Sequence, residues 1–357
     1  MAMATGGNLY DAIGDLDGCR RLSKAFYRRV ADDPVLRPIF PSSFHCAVEA
    51  LALYLAQTLG GPSEYSKKRW GLSLRESHMR FRIGAAERDA WLAAMRLTLE
   101  EVGVAAPASD ALMSFFEQAS VRIVNRGVAT AGEATVNPLM AGPWQEEVAL
   151  DDLSRAVKAG DSLRAFEIAE NDAVRVCFAR DRGALLSMLD MMAASGDAEM
   201  IAYVDRRLRK DTALVHDRYT ANRTLLHGIA ASGVLALVET LLELGADPNA
   251  LDEAGHTPLY CLANETQSNE AGATVHALVQ AGADVNAAGG VKRCTPLHMA
   301  ARRGNVGVAE ALLNHGAWIE ARDSRGDTPL RRALNCRKNA LAEFLTARGA
   351  SQERNQR

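Results

Sequence analysis

The chain has no run of about 18 apolar residues, no paired cysteines, few aromatics and almost no net charge, and each shortage narrows what it can be. Without an apolar run of that length there is no candidate membrane-spanning helix. The opening M-A-M-A-T-G-G lacks the basic start and apolar block of a secretory leader. A soluble, cytoplasmic protein is therefore expected. Cys19, Cys46, Cys177, Cys261, Cys294 and Cys336 are scattered and none forms a C-x-x-C pair. That removes zinc ribbons, dithiol redox motifs and covalent cytochrome-type attachment, and leaves reduced, structural thiols as the expectation. A net charge of −3, with 24% of residues charged, gives no global field to attract nucleic acid or anionic lipid, so neither is an expected partner. G-x-S-x-G elbows, H-E-x-x-H helices and G-x-x-x-x-G-K-S/T phosphate loops are also missing.

What is present divides the 357 residues into two halves with different rules. Up to roughly residue 127 the apolar spacing is near 3.6 and nothing repeats. From Gly127 to Pro143 the chain runs G-V-A-T-A-G-E-A-T-V-N-P-L-M-A-G-P, small and turn-prone, which reads as a linker over 128–147. Beyond it the chain repeats. Thr-Pro-Leu triplets begin at Thr257, Thr295 and Thr328, and units close on Gly245-Ala246-Asp247-Pro248-Asn249, Gly282-Ala283-Asp284-Val285-Asn286, Gly316-Ala317 and Gly349-Ala350. Thr caps a helix, Pro suits its first turn, and Gly accepts the left-handed conformation that ends the second helix. This pattern resembles ankyrin repeats, with spacing near their roughly 33 residues. The resemblance covers 224–357, and 148–223 reads as degenerate ankyrin-like repeats, because A-A-S-G-D at Ala193 echoes A-A-S-G at Ala230. Five or six stacked units are expected, the outer ones acting as caps.

Eight histidines are present, and His216, His227, His256, His276, His298 and His315 fall in the repeat half. Only His45 and His78 belong to the first half. His78 lies in L-R-E-S-H-M-R-F-R-I-G-A-A-E-R-D-A-W-L (Leu74 to Leu92), with Phe81 three residues on and Trp91 on the following helix. A neutral imidazole flanked by apolar side chains can give an axial bond to a metal held in a flat apolar ligand. Read with Phe26-Tyr27 and Gly60-Gly61-Pro62, the segment resembles the truncated globins, specifically the group with a distal tryptophan. The match runs from Leu9 to Asn125, within a domain of residues 1–127. The implied architecture is all-α, a truncated 2-on-2 globin followed by an ankyrin-repeat α-solenoid.

The resemblance implies non-covalent haem b, with His78 binding iron through Nε2 while a backbone carbonyl holds its other nitrogen. Trp91 matches the tryptophan that defines the group, and its indole N–H is a donor suited to a polar gas ligand. Tyr27, in A-F-Y-R-R-V, matches the B-helix tyrosine that points at that ligand. Phe40 falls where an aromatic packs on the haem edge; several relatives have tyrosine there, so this chain has two distal donors instead of three. Ala47 falls at the distal gate and Leu51 one turn inward, while His45 should face away. Tyr65 and Arg69 match the tyrosine and arginine that bond a haem propionate. Phe81 completes the cofactor-binding set, and no catalytic residue is assigned. Trp70-Gly71-Leu72 departs from the family's loop, and Gly14-Asp15 stands where two glycines are usual.

The expected function is binding of dioxygen or another diatomic gas at haem, as carrier or sensor, with a protein partner on the repeats. The alternative is a haem enzyme with peroxidase or nitric-oxide dioxygenase activity, which would need an external electron donor. A globin retained only as an unliganded scaffold is a third reading, disfavoured by histidine, tyrosine and tryptophan being kept together.

Overall fold

A computed structural model of the protein describes residues 9–40, 43–65, 74–78, 81–126 and 140–351. All regular structure among them is helical, and the chain divides into two compact units, Met1–Ala184 and Leu185–Arg357.

In the first unit, α1 (Leu9–Ile13) meets α2 (Asp15–Asp32) at a tight turn. Gly14 has φ 90° and Asp15 φ 59°, so both residues of the usual glycine pair adopt the left-handed region, which aspartate tolerates better than most side chains. Along α2 the apolar residues recur every three or four positions, and Cys19, Leu22, Phe26 and Val30 are all buried. α3 (His45–Thr58) packs against α2 and ends at Gly60-Gly61. A side chain at Gly61 would meet the Tyr10 ring at 2.7 Å, so the close approach of α1 to this turn requires glycine. α4 (Leu74–His78), α5 (Ala85–Val102) and α6 (Ala108–Ile123) follow. Glu87 caps α5 by accepting from the Gly84 N–H at 2.8 Å. The interior is filled by Phe26, Leu55, Met95, Leu99, Leu112 and Phe115.

Of the stretch read as a linker, 128–139 lies outside the described residues, and Met140–Glu147 is instead a buried residue followed by the start of α7 (Ala141–Ala159). Pro143 sits in the first turn, where helix N–H groups have no intrahelical acceptor, so it does not break the helix. Met140 is wholly buried in the core of the first unit, and Trp144 packs edge-on to Phe115 with ring centroids 6.1 Å apart. α8 (Ser162–Ala169) and α9 (Asp172–Arg180) then fold back on α7.

The second unit takes up most of α10 (Arg182–Ala194) and all of α11 (Ala198–Lys210), then four helix pairs. These are α12 (Leu225–Ser232) with α13 (Leu235–Glu243), α14 (Pro258–Glu265) with α15 (Ala271–Gln280), α16 (Pro296–Arg303) with α17 (Val306–Asn314), and α18 (Pro329–Asn335) with α19 (Asn339–Ala347). Thr257 and Thr328 cap their helices by accepting from the N–H groups of Tyr260 and Arg331. In T-L-L-H and T-P-L-H the histidine does more. His227 and His298 accept the Thr224 and Thr295 N–H at Nδ1, and donate from Nε2 to the carbonyls of His256 and Asp327 in the next unit. The Gly-Ala turns are joined similarly. Asn249 donates to the Gly282 carbonyl and accepts the Asp284 N–H, both at 2.8 Å, and Asn286 repeats this with Gly316 and Trp318.

Candidate functional site

Within the first unit a cavity of about 240 Å³ opens between α2, α3, α4, α5 and α6. Its position follows from sequence spacing. Ala47, Leu51 and Tyr54 occur every three or four residues on α3, and on α5 Trp91 lies four residues after Glu87 and three after Arg88, so each helix presents one stripe to the same space. α2 supplies Tyr27, the turn before α3 supplies Leu36 and Phe40, and α4 supplies Leu74 and His78. Phe81 and Ile83 are fixed by Asn125, whose amide donates to the Phe81 carbonyl at 2.7 Å and accepts the Ile83 N–H at 3.0 Å. That clamp ties the segment after α4 to the end of α6.

Tyr27, Phe40, Ala47, Leu51, Tyr65, His78, Phe81 and Trp91 therefore all line one cavity, while Arg69, and with it Lys67 and Lys68, lies outside the described residues. His45 heads α3 and is not among the lining residues. Spacing from Ala47 and Leu51 would have pointed to Tyr54, which the sequence analysis missed; Phe44, Phe116, Arg88 and Asn125 carried no comparable local signal.

The walls are aromatic and incompletely covered. Trp91 lies between Phe26 and Phe116, with ring centroids at 5.2 and 5.1 Å, and Tyr27 between Phe40 and Phe44, at 5.6 and 5.4 Å. Yet Tyr27, Phe40, Leu51, Phe81 and Trp91 are only half-buried, and what they leave uncovered faces the cavity. Apolar surface costs about 25 cal/mol per Å² to leave in water, so a flat apolar guest gains by covering it.

The polar groups are few. His78 Nδ1 lies 2.7 Å from the Leu74 carbonyl, one helical turn back. A carbonyl can only accept, so Nδ1 carries the proton and the Nε2 lone pair becomes the basic position of the ring. The Tyr54 hydroxyl is buried and makes no hydrogen bond of good geometry, with the Thr58 side chain in interacting range and the Tyr54 ring 5.2 Å from that of Tyr65. Burial holds its phenol well above the usual range. Arg88 bonds Ser120 at 3.2 Å on the α5–α6 side. Behind α4, Glu147 of α7 accepts the Leu74 N–H. Burial pushes the Glu147 carboxyl up to about 7, against the pull of that N–H and of Arg122. The donor set fits a haem: one imidazole with its tautomer fixed, among aromatic and aliphatic walls left partly uncovered.

Comparison with known proteins identifies a globin followed by ankyrin repeats. Residues 8–125 match the bacterial-like globin family; 221–253 match the ankyrin repeat, and 262–356 a model of three ankyrin copies. The chain is 34% identical over 117 residues to group 2 truncated hemoglobin YjbI of Bacillus subtilis, covering 33% of this chain and 88% of that one. It is 40% identical over 121 residues to ankyrin repeat and SOCS box protein 16 of Mus musculus, covering 33% of this chain and 26% of that one. Alpha-latrotoxin-Lhe1a of Latrodectus hesperus is 31% identical over 157 residues, 43% of this chain and 11% of its own length. The chain thus spans only a minor part of these repeat-bearing relatives. Among solved structures, the hemoglobin of the thermophilic phototrophic bacterium Chloroflexus aurantiacus is 40% identical, covering 34% of this chain and all of that one, with a TM-score of 0.33. No helix among the described residues is long and apolar enough to cross a membrane.

Proposed function

We propose that this chain, which belongs to the bacterial-like truncated globins through residues 8–125 and carries ankyrin repeats behind them, binds haem b and takes up a diatomic gas, dioxygen first. The observation that carries this reading is the cavity shared by His78, Tyr27 and Trp91, with His78 Nδ1 held by the Leu74 carbonyl. When bound, the haem supplies an iron atom with a coordination position open to a small gas. His78 would hold the iron through Nε2, and its bond to Leu74 keeps the ring in the ligating tautomer. Tyr27 and Trp91 offer an O–H and an N–H to a polar guest. Phe40, Leu51 and Phe81 exclude water from the porphyrin, Ala47 leaves the entry unobstructed, and Tyr65 with Arg69 receives a propionate. The repeats hold a protein partner, and the six unpaired cysteines suit a reducing compartment such as the cytoplasm.

The test is an absorption spectrum of the purified chain offered hemin, then reduced under carbon monoxide, beside His78→Ala. Five-coordinate ferrous haem is expected in the reduced wild type before carbon monoxide is added and a six-coordinate carbonyl complex afterwards, with ligation by the histidine lost in the variant. A protein that takes up no hemin, or a variant whose iron is ligated as before, would sink the proposal. Tyr27→Phe and Trp91→Phe should each speed gas release by roughly tenfold, the equivalent of about 1.4 kcal/mol.

A further inference from the structure

We propose that Glu147, on a helix outside the globin family match, is a positioning residue for the proximal histidine, acting through the backbone of Leu74. This rests on the haem-binding reading above and extends it to α7. Leu74 is the first described residue of α4, and the Glu147 carboxylate accepts its N–H. The carbonyl of the same residue accepts from His78 Nδ1 at 2.7 Å. Two hydrogen bonds sharing one peptide-linked residue thus connect a buried carboxylate on α7 to the imidazole.

The connection is anchored on both sides. Trp144, Glu147 and Asp151 lie three and four residues apart on α7, which puts them on one face. Trp144 packs on Phe115 of α6, and Asp151, only 3% exposed, takes the guanidinium of Arg122 at the end of α6. Arg75, next to Leu74, donates to the Arg122 carbonyl. The α4 helix has only five residues, too few to hold itself in place, so its orientation is set by these contacts from α6 and α7. A histidine on so short an element needs external support to keep Nε2 aimed, and α7 supplies part of it.

Glu147→Leu and Glu147→Gln in the full chain separate this from a general packing role. Leucine fills a similar buried volume but removes the acceptor of the Leu74 N–H. Glutamine keeps an oxygen that can accept the Leu74 N–H. In Glu147→Leu, haem transfer to an excess of apomyoglobin should run roughly tenfold faster, the scale usual for loss of an outer hydrogen bond to a metal-binding histidine. Its iron–histidine stretching band should shift, and in the haem-free protein the amides of 74–78 should exchange faster. Glu147→Gln should restore all three towards wild type. An unshifted band and unchanged exchange in Glu147→Leu would overturn the inference, as would a glutamine variant as impaired as the leucine one. Failure of the haem reading itself would show instead in the wild-type chain, as no uptake of hemin.

Discussion

The globin-family region and the repeat region are both wholly helical among the described residues, but they finish their interiors differently. Around the cavity, Tyr27, Phe40, Leu51, Phe81 and Trp91 are left half-covered. In the repeats, Leu241, Leu278, Leu312 and Leu345 are wholly buried, and the buried imidazoles of His227 and His298 have partners at both nitrogens. The first interior leaves aromatic wall surface uncovered around a cavity. In the second the apolar layers close on one another, and what is left without a hydrogen bond is guanidinium nitrogen, as at Arg207, Arg302 and Arg332. Uncovered apolar surface is what a folded chain tolerates where a ligand will cover it.

That contrast can be broken most forcefully in the last repeat. Asp323 is 6% exposed and pairs with Arg332, so Asp323→Ala strands a guanidinium; a loss of about 3–5 kcal/mol should appear in urea unfolding of the repeat region. An unchanged midpoint would show that water reaches the arginine. A matched pair of truncations probes the comparison directly. Leu312→Ala, in a packed layer, should cost about 2–5 kcal/mol. Leu51→Ala, on the cavity wall, should cost well under half as much in the haem-free protein, and equal costs would mean that the cavity is closed in solution.

Acid should act on the repeats through His227, whose imidazole burial lowers from 6.5 to about 4. The unfolded chain takes up the proton first, so stability held above pH 6.5 is lost as pH falls towards 4, by at most about 3 kcal/mol. Unfolding midpoints measured from pH 7.5 down to 4.5 should fall more steeply for wild type than for His227→Gln; parallel slopes would remove the assignment. The smallest effect concerns the turn-to-turn joints. Asn249→Ala removes two hydrogen bonds to the next unit and should cost about 1–2 kcal/mol, without altering hemin uptake.

Legibility followed the range of the interaction. Thr257, Pro258 and the Gly282 turn announce a helix pair because capping and left-handed turns act within four or five residues. His78, Phe81 and Trp91 were readable because the segment holding them is short and distinctive. Tyr54 was within reach, one further turn along the stripe from Leu51. Asn125 was not, since its amide bonds Phe81 and Ile83 more than 40 residues away. Nor was the helical start of α7, where A-G-P reads locally as a breaker and only the burial of Met140 and the packing of Trp144 on Phe115 show why the helix begins there.

The amino-acid order by itself settled that the molecule is helical, that its C-terminal part repeats, and that a histidine, a tyrosine and a tryptophan were candidates for one pocket. Folding in three dimensions decided that all eight described candidate side chains share a cavity, and that a carboxylate from α7 accepts the Leu74 N–H beside His78. Caps and turns are written in neighbouring residues. A contact between residues 74 and 147 depends on how separate helices pack, which no local pattern encodes.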